Sequence, residues 1–172
     1  MALFVLSVVG SDRPGLTQAL AAAVLSASGN WLESHLSRLG GLYVGSVLVD
    51  LAAEDIEALR AAVAQVDASG LEVRIAPAAA EAGTGGAALR LSLVGQDRPG
   101  IVNQVTAVLS GLGANIETFK TWIAPEPHSG GDLFNMDAQV RLPAGLEIGQ
   151  MQGALEAISA EVMVDVSLTA VD

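Results

Sequence analysis

Cysteine is absent from this 172-residue chain and basic residues are scarce: eight Lys and Arg stand against nineteen Asp and Glu, a formal net charge of −11. The first absence excludes disulfides, thiolate metal sites and cysteine nucleophiles, and it fits a cytoplasmic protein. The second opposes a polyphosphate partner, which needs clustered cations that release counterions, and an anionic membrane surface. Direct nucleic-acid binding is therefore not expected. His35 and His128 are the two histidines. Neither belongs to a metal spacing or a Ser-His-Asp set, and they read as a strand residue and an exposed loop residue. No apolar stretch runs for about eighteen residues without Asp, Arg, Gln, Asn or Gly, so no membrane-spanning helix is expected. The run Ala2 to Val9 lacks a basic n-region and a cleavage pattern, and reads as a strand, not a signal peptide.

What the chain does have is apolar content, 51% of its residues, and repetition. The length suits two small domains of roughly 85 residues each. Gly10-Ser11-Asp12-Arg13-Pro14-Gly15 recurs as Gly95-Gln96-Asp97-Arg98-Pro99-Gly100. One such hexapeptide is an ordinary turn signal, but the flanks match too: Leu6-Ser7 with Leu91-Ser92, Val9 with Val94, Leu16 with Ile101.

Each copy carries the same order of elements. Leu3 to Val9 is aliphatic and β-branched and runs into a turn cluster, as a buried strand does. Pro14 suits the first turn of the helix that follows. Leu16, Leu20, Ala23 and Ala27 fall at helical spacing, as do Ile101, Val105, Val108 and Leu112, so these stripes face a sheet. Ser28-Gly29-Asn30 and Gly113-Ala114-Asn115 act as stop signals. Trp31 to Leu39 and Ile116 to Ala124 read as second strands, and Tyr43 to Leu51 and Leu133 to Leu142 as third strands. Gly40-Gly41 makes the tight connection in the first copy, against the longer Pro125 to Gly131 in the second. Ile56, Leu59, Val63 and Val66, and then Met151, Leu155 and Ile158, mark second helices. The last strands alternate cleanly: Leu71, Val73 and Ile75 in one copy, Val162, Val164, Val166 and Leu168 in the other.

The fold class is therefore α+β: two tandem ferredoxin-like β-α-β-β-α-β domains, each an antiparallel sheet with its helices on one face. The domains span residues 1–77 and 88–172, joined by an Ala- and Gly-rich linker over 78–87. A sheet covered on one face leaves the other face and its edges in need of partners.

In the repeated loop, Gly10 and Gly95 allow a sharp turn or a close approach. Gly15 and Gly100 keep the first helical turn bare, leaving a helix N-terminus that suits a small anion or carboxylate. Asp12 and Asp97 beside it are acceptors for an ammonium group, and Asn30 and Asn115, each eighteen residues further on, offer donor and acceptor together. Such a set matches the zwitterionic head of an amino acid. The alternative is turn architecture, since Asp before a helix caps and Asn after one tolerates a left-handed backbone. Arg13 and Arg98 oppose the helix dipole and ask for a partner carboxylate. Glu33 and Glu117 are offset by one residue between the copies, which exchanges strand faces or requires a bulge.

Gly-x-Asp-Arg-Pro-Gly with its downstream Asn, twice in this frame, resembles a pair of ACT domains, small regulatory modules that commonly bind amino acids. Gly29-Asn30-Trp31-Leu32-Glu33-Ser34 with Arg38-Leu39-Gly40-Gly41 is similar to the glycine cleavage system transcriptional repressor family, as are Asn115-Ile116-Glu117 and Ser129-Gly130-Gly131-Asp132-Leu133-Phe134. The resemblance implies a sensor without chemistry, whose ligand lies where the first loop meets a neighbouring module. It points to Gly10, Asp12, Gly15 and Asn30, and to Gly95, Asp97, Gly100 and Asn115. It implies an amino acid as ligand, plausibly glycine, with no cofactor and no metal. Regulation of transcription would then pass through a protein partner such as a DNA-binding regulator, and the chain is a candidate homo-oligomer. The other reading is an interaction or oligomerisation module without a ligand. An enzyme is not expected. Glu54, Asp55 and Glu57 read as a solvated helix start, and Trp31 and Trp122 as core or interface anchors.

Overall fold

Strand β1 (Ala2–Ser11) is central to the first sheet, paired with a strand along each edge, and its alternate residues Leu6 and Val8 are buried on one side. The computed structural model of the chain describes residues 2–79, 86–126 and 130–171. The chain divides into two units, Met1–Glu81 and Ala82–Asp172. In the first, β1 is followed by α1 (Leu16–Ser26), β2 (Asn30–Leu39), β3 (Leu42–Leu51), a 3-10 turn at Ala53–Asp55, α2 (Ile56–Asp67) and β4 (Leu71–Pro77). The second contains β5 (Ala88–Gln96), α3 (Ile101–Gly111), β6 (Asn115–Pro125), β7 (Asp132–Arg141), α4 (Ile148–Val162) and β8 (Val164–Ala170).

Both sheets are four-stranded, in the orders β2-β3-β1-β4 and β6-β7-β5-β8, with every neighbouring pair antiparallel. Each unit is the β-α-β-β-α-β arrangement that its sequence predicts. The first core gathers Leu6, Leu20, Val47, Val49, Leu59 and Leu71. The second gathers Leu89, Leu91, Leu109, Met136, Val140 and Met151. The stripe Leu16, Leu20, Ala23 and Ala27 is buried throughout, whereas Val108 and Leu112 pack on their core only partly buried.

Two local expectations need correction. Pro14 and Pro99 do not sit in the first helical turn: they form the turn before it, and the helices start at Leu16 and Ile101. Val162 closes α4 and does not open the last strand. Met163 follows in the left-handed conformation (φ 53°) and β8 begins at Val164, because the alternation that marks a strand says little about where a helix stops. The expected exposed loop residue His128 and most of the linker, residues 80–85, lie outside the described residues.

The glutamate offset resolves into bulges. β2 bulges at Leu32, between the pairs Trp31–Val49 and Glu33–Leu48. β6 bulges at the equivalent Glu117, between Ile116–Val140 and Thr118–Gln139. Glu33 is therefore a ladder residue and Glu117 the extra one.

Candidate functional site

The loop after β1 is shaped first by packing. A Cβ on Gly10 would lie 2.4 Å from the Gly70 carbonyl oxygen and 2.8 Å from Leu71 Cα; one on Gly95 would lie 2.6 Å from the Met163 carbonyl oxygen. The close approach expected at these glycines is that of the neighbouring strand, β4 or β8. Gly15 (φ 91°) and Gly100 (φ 97°) are the N-cap residues of α1 and α3, in the left-handed region that glycine adopts without penalty. A Cβ at either would meet nothing within 4 Å, so backbone conformation and not space requires glycine there. The carbonyls of Gly15 and Gly100 accept the first helical bonds, from Ala19 (2.9 Å) and Gln104 (3.0 Å). No side chain caps either helix, and neither first turn holds an acid. The N-termini of α1 and α3 thus carry no side-chain cap.

Around this shared backbone the side chains differ. In the first unit the Arg38 guanidinium, at the end of β2, pairs with the Asp12 carboxylate (Nε to Oδ2 3.0 Å). The Thr17 and Tyr43 hydroxyls lie 2.6 Å apart, tying the first turn of α1 to β3. In the second unit the equivalent positions carry Val102 and Phe134. They line a hollow of about 440 Å3 together with Asp97, Arg98, Gly100 and Thr106. Arg98 donates to the Gln104 amide oxygen (3.3 Å), and the Asp97 N–H donates to the Asp132 carbonyl (2.9 Å). The cation that answers Asp12 therefore comes from β2 and not from the loop itself.

Asn30 and Asn115 stand elsewhere. Asn30 is the first residue of β2 and pairs with Asp50, which pairs in turn with Leu3 on β1; Gly10 pairs with Tyr43 at the other end. Seven residues of strand separate the two ends, about 23 Å at the rise of a β-strand. The second unit repeats this, with Asn115 opposite Arg141 and Ala88, far from Gly95. Within one unit the structure brings Gly10, Asp12 and Gly15 together, or Gly95, Asp97 and Gly100, and leaves the asparagine at the opposite end of the sheet. The two asparagine ends also differ: Arg141 beside Asn115 donates from Nε and Nη2, one edge of its guanidinium, to the two carboxylate oxygens of Glu117, whereas the first unit has Asp50 there, with Oδ1 buried and lacking a hydrogen bond.

A family model, described as ACT domain, matches residues 2–76. A crystal structure of an unknown protein from Galdieria sulphuraria is 33% identical over 99% of each chain, with a TM-score of 0.88. The chain belongs to the ACT-domain family. A "putative glycine cleavage system transcriptional repressor" covers 99% of this chain and 98% of its own at 17% identity and a TM-score of 0.71, a likeness of fold. Comparison with curated proteins gives no match.

In these ACT modules the residues that sequence reasoning missed are Thr17, Arg38 and Tyr43. The signal was present: an antiparallel hairpin closed by Gly40-Gly41 places Tyr43 across from Gly10, and Arg38 across from Tyr43. His35 is a ladder residue of β2, its Nε2 2.9 Å from Glu33 Oε1, and well exposed. Trp31 packs on the first core. Trp122 is 44% exposed, with the Lys120 ammonium 5.5 Å from its ring. Among the described residues, no group of three His, Asp or Glu side chains could hold a metal ion, and no helix is long and apolar enough to cross a membrane.

Proposed function

We propose that this ACT-domain protein is a non-catalytic regulator that binds a free amino acid and passes its occupancy to a protein partner. One observation carries the reading: the same loop, twice, delivers an uncapped helix N-terminus beside a carboxylate, Asp12 or Asp97. Backbone N–H groups at Gly15 to Thr17 and Gly100 to Val102 receive the ligand carboxylate, and Asp12 or Asp97 receives its ammonium. Asn30 and Asn115 act on a ligand held at the loop of a neighbouring module. β2 starts at Asn30 and ends beside the Asp12 loop, so antiparallel pairing of this edge with the same edge of a second copy of the chain would set each Asn against the other copy's loop. Glycine is the first ligand to try, since the fold neighbour is named for the glycine cleavage system. With a net charge of −11, action on transcription passes through a DNA-binding protein, and the setting is cytoplasmic.

A second reading has specific support. Gly10 and Gly95 are explained by strand packing and Asp12 is already paired with Arg38, as in an interaction module whose loop is purely structural. Thermal shift against the twenty amino acids separates the two, because a ligand that binds only the folded state raises its stability. The sensor reading expects at least one ligand-dependent shift, abolished together by Asp12→Ala and Asp97→Ala in one chain. Shifts absent throughout the panel support the structural reading.

A further inference from the structure

The Asp-Arg-Pro-Gly run is identical in the two units, yet its surroundings send the arginine two ways. Arg13 reaches towards the start of β4: its Nη2 lies 3.9 Å from where a Cβ on Gly70 would stand. In the second unit Met163 takes the place of Gly70, since each precedes the residue paired with Gly10 or Gly95. A methionine side chain there fills space that Gly70 leaves to Arg13. Arg98 instead lines the hollow of about 440 Å3, its Nη2 donating to Gln104 Oε1 at 3.3 Å. The first unit has Ala19 in place of Gln104, each donating its N–H to the N-cap glycine, and so has no amide to hold an arginine there. The acid beside it differs too. Asp12 is paired with Arg38, whereas the place of Arg38, across from Tyr43, falls to Ile123, across from Phe134. The Asp97 carboxylate has no ion pair or hydrogen bond among the described residues. Its neighbours are apolar: Val102 is 39% exposed and Ile123 50%, and Val102 and Phe134 line the hollow where the first unit joins the hydroxyls of Thr17 and Tyr43.

Resting on the sensor reading above, we propose that the second unit alone holds the ligand and that it selects an amino acid with an apolar side chain. Arg98 pairs with the ligand carboxylate and Asp97 with its ammonium, so that two neighbouring residues of opposite charge meet the two charges of one head group. Val102 and Phe134 cover the ligand side chain, with Ile123 on the same sheet face as Phe134. In the first unit an ammonium at Asp12 would have to displace a guanidinium tethered to the same chain, and Arg13 is turned towards β4. The hollow, about 440 Å3, lies within the range of about 300–1,000 Å3 for small-molecule sites. Glycine would leave its apolar wall bare and forgo the burial.

Isothermal calorimetry of the full chain with leucine, phenylalanine and glycine, at up to millimolar ligand, is the test. Saturation at one leucine or phenylalanine per chain is expected, with an affinity about tenfold or more above that for glycine, the factor that burying part of such a side chain supplies. Asp97→Asn and Arg98→Gln, each checked for a native circular-dichroism melt, weaken that ligand by about tenfold or more. Should Arg98→Gln fail to fold, Asp97→Asn carries the comparison. Val102→Thr with Phe134→Tyr writes the hydroxyl pair of the first unit into the second and removes the preference over glycine. Two equivalents bound per chain, glycine bound as tightly as leucine and phenylalanine, or an affinity unchanged in folded Asp97→Asn overturns the proposal and leaves the sensor reading standing. Absence of heat from every amino acid overturns both.

Discussion

Gly10 and Gly70 approach so closely that a Cβ on the first would lie 2.4 Å from the carbonyl oxygen of the second. Backbone, unlike a side-chain tip, yields only by shifting a strand. Gly10→Ala is expected to cost about 1–3 kcal/mol, the usual range of overpacking, and Gly95→Ala the same, read by urea unfolding. Loss of less than a few tenths of a kcal/mol would show that β4 moves freely there.

Ser28 offers the reverse. It holds φ 57° without being glycine, at the place where the second copy has Gly113 at φ 70°. Replacing it removes the cost of a left-handed L-residue, which outweighs the added freedom of the unfolded chain. Ser28→Gly is predicted to stabilise the chain by about 0.5–1 kcal/mol, measured by the unfolding midpoint at constant m-value.

Asp12 separates stability from binding. Its partner Arg38 is well exposed, and such pairs contribute about 0–1 kcal/mol. Asp12→Ala should therefore leave the melt nearly unchanged while weakening any amino acid bound at the first loop. A lowered melting temperature with unchanged affinity would assign Asp12 to the fold.

Glu117 and Arg141 make a bidentate pair on a β-bulge, each about one-third exposed. A double-mutant cycle with Glu117→Ala and Arg141→Ala should give a coupling near 1 kcal/mol, the upper end for a partly exposed pair of good geometry. Coupling near zero would mean that the bulge is held by the ladder alone.

The repeat made the fold legible, because two independent strings with the same order of turns and stripes fix the period of each element. Helix starts were less so: Pro14 is compatible with both the first helical turn and the turn before it, and only the left-handed backbone at Gly15 decides. Val162 misled because a valine serves a helix end and a strand start equally well. For the site, Gly10, Asp12 and Gly15 are close in the chain and their proximity followed from the loop. Asn30 did not follow, since a helix of eleven residues carries the chain to the other end of the sheet. The pairing of Asp12 with Arg38 depends on β3 lying beside β1 as well as on the hairpin register, and Gly40-Gly41 sets only the second.

The central claim is tested most directly by titrating each of the twenty amino acids, glycine first, into the full chain by isothermal calorimetry at millimolar ligand. The account predicts saturable heat for at least one of them, weakened by Asp97→Ala and by Asn115→Ala while both variants stay folded. Heats of dilution alone for all twenty would contradict it.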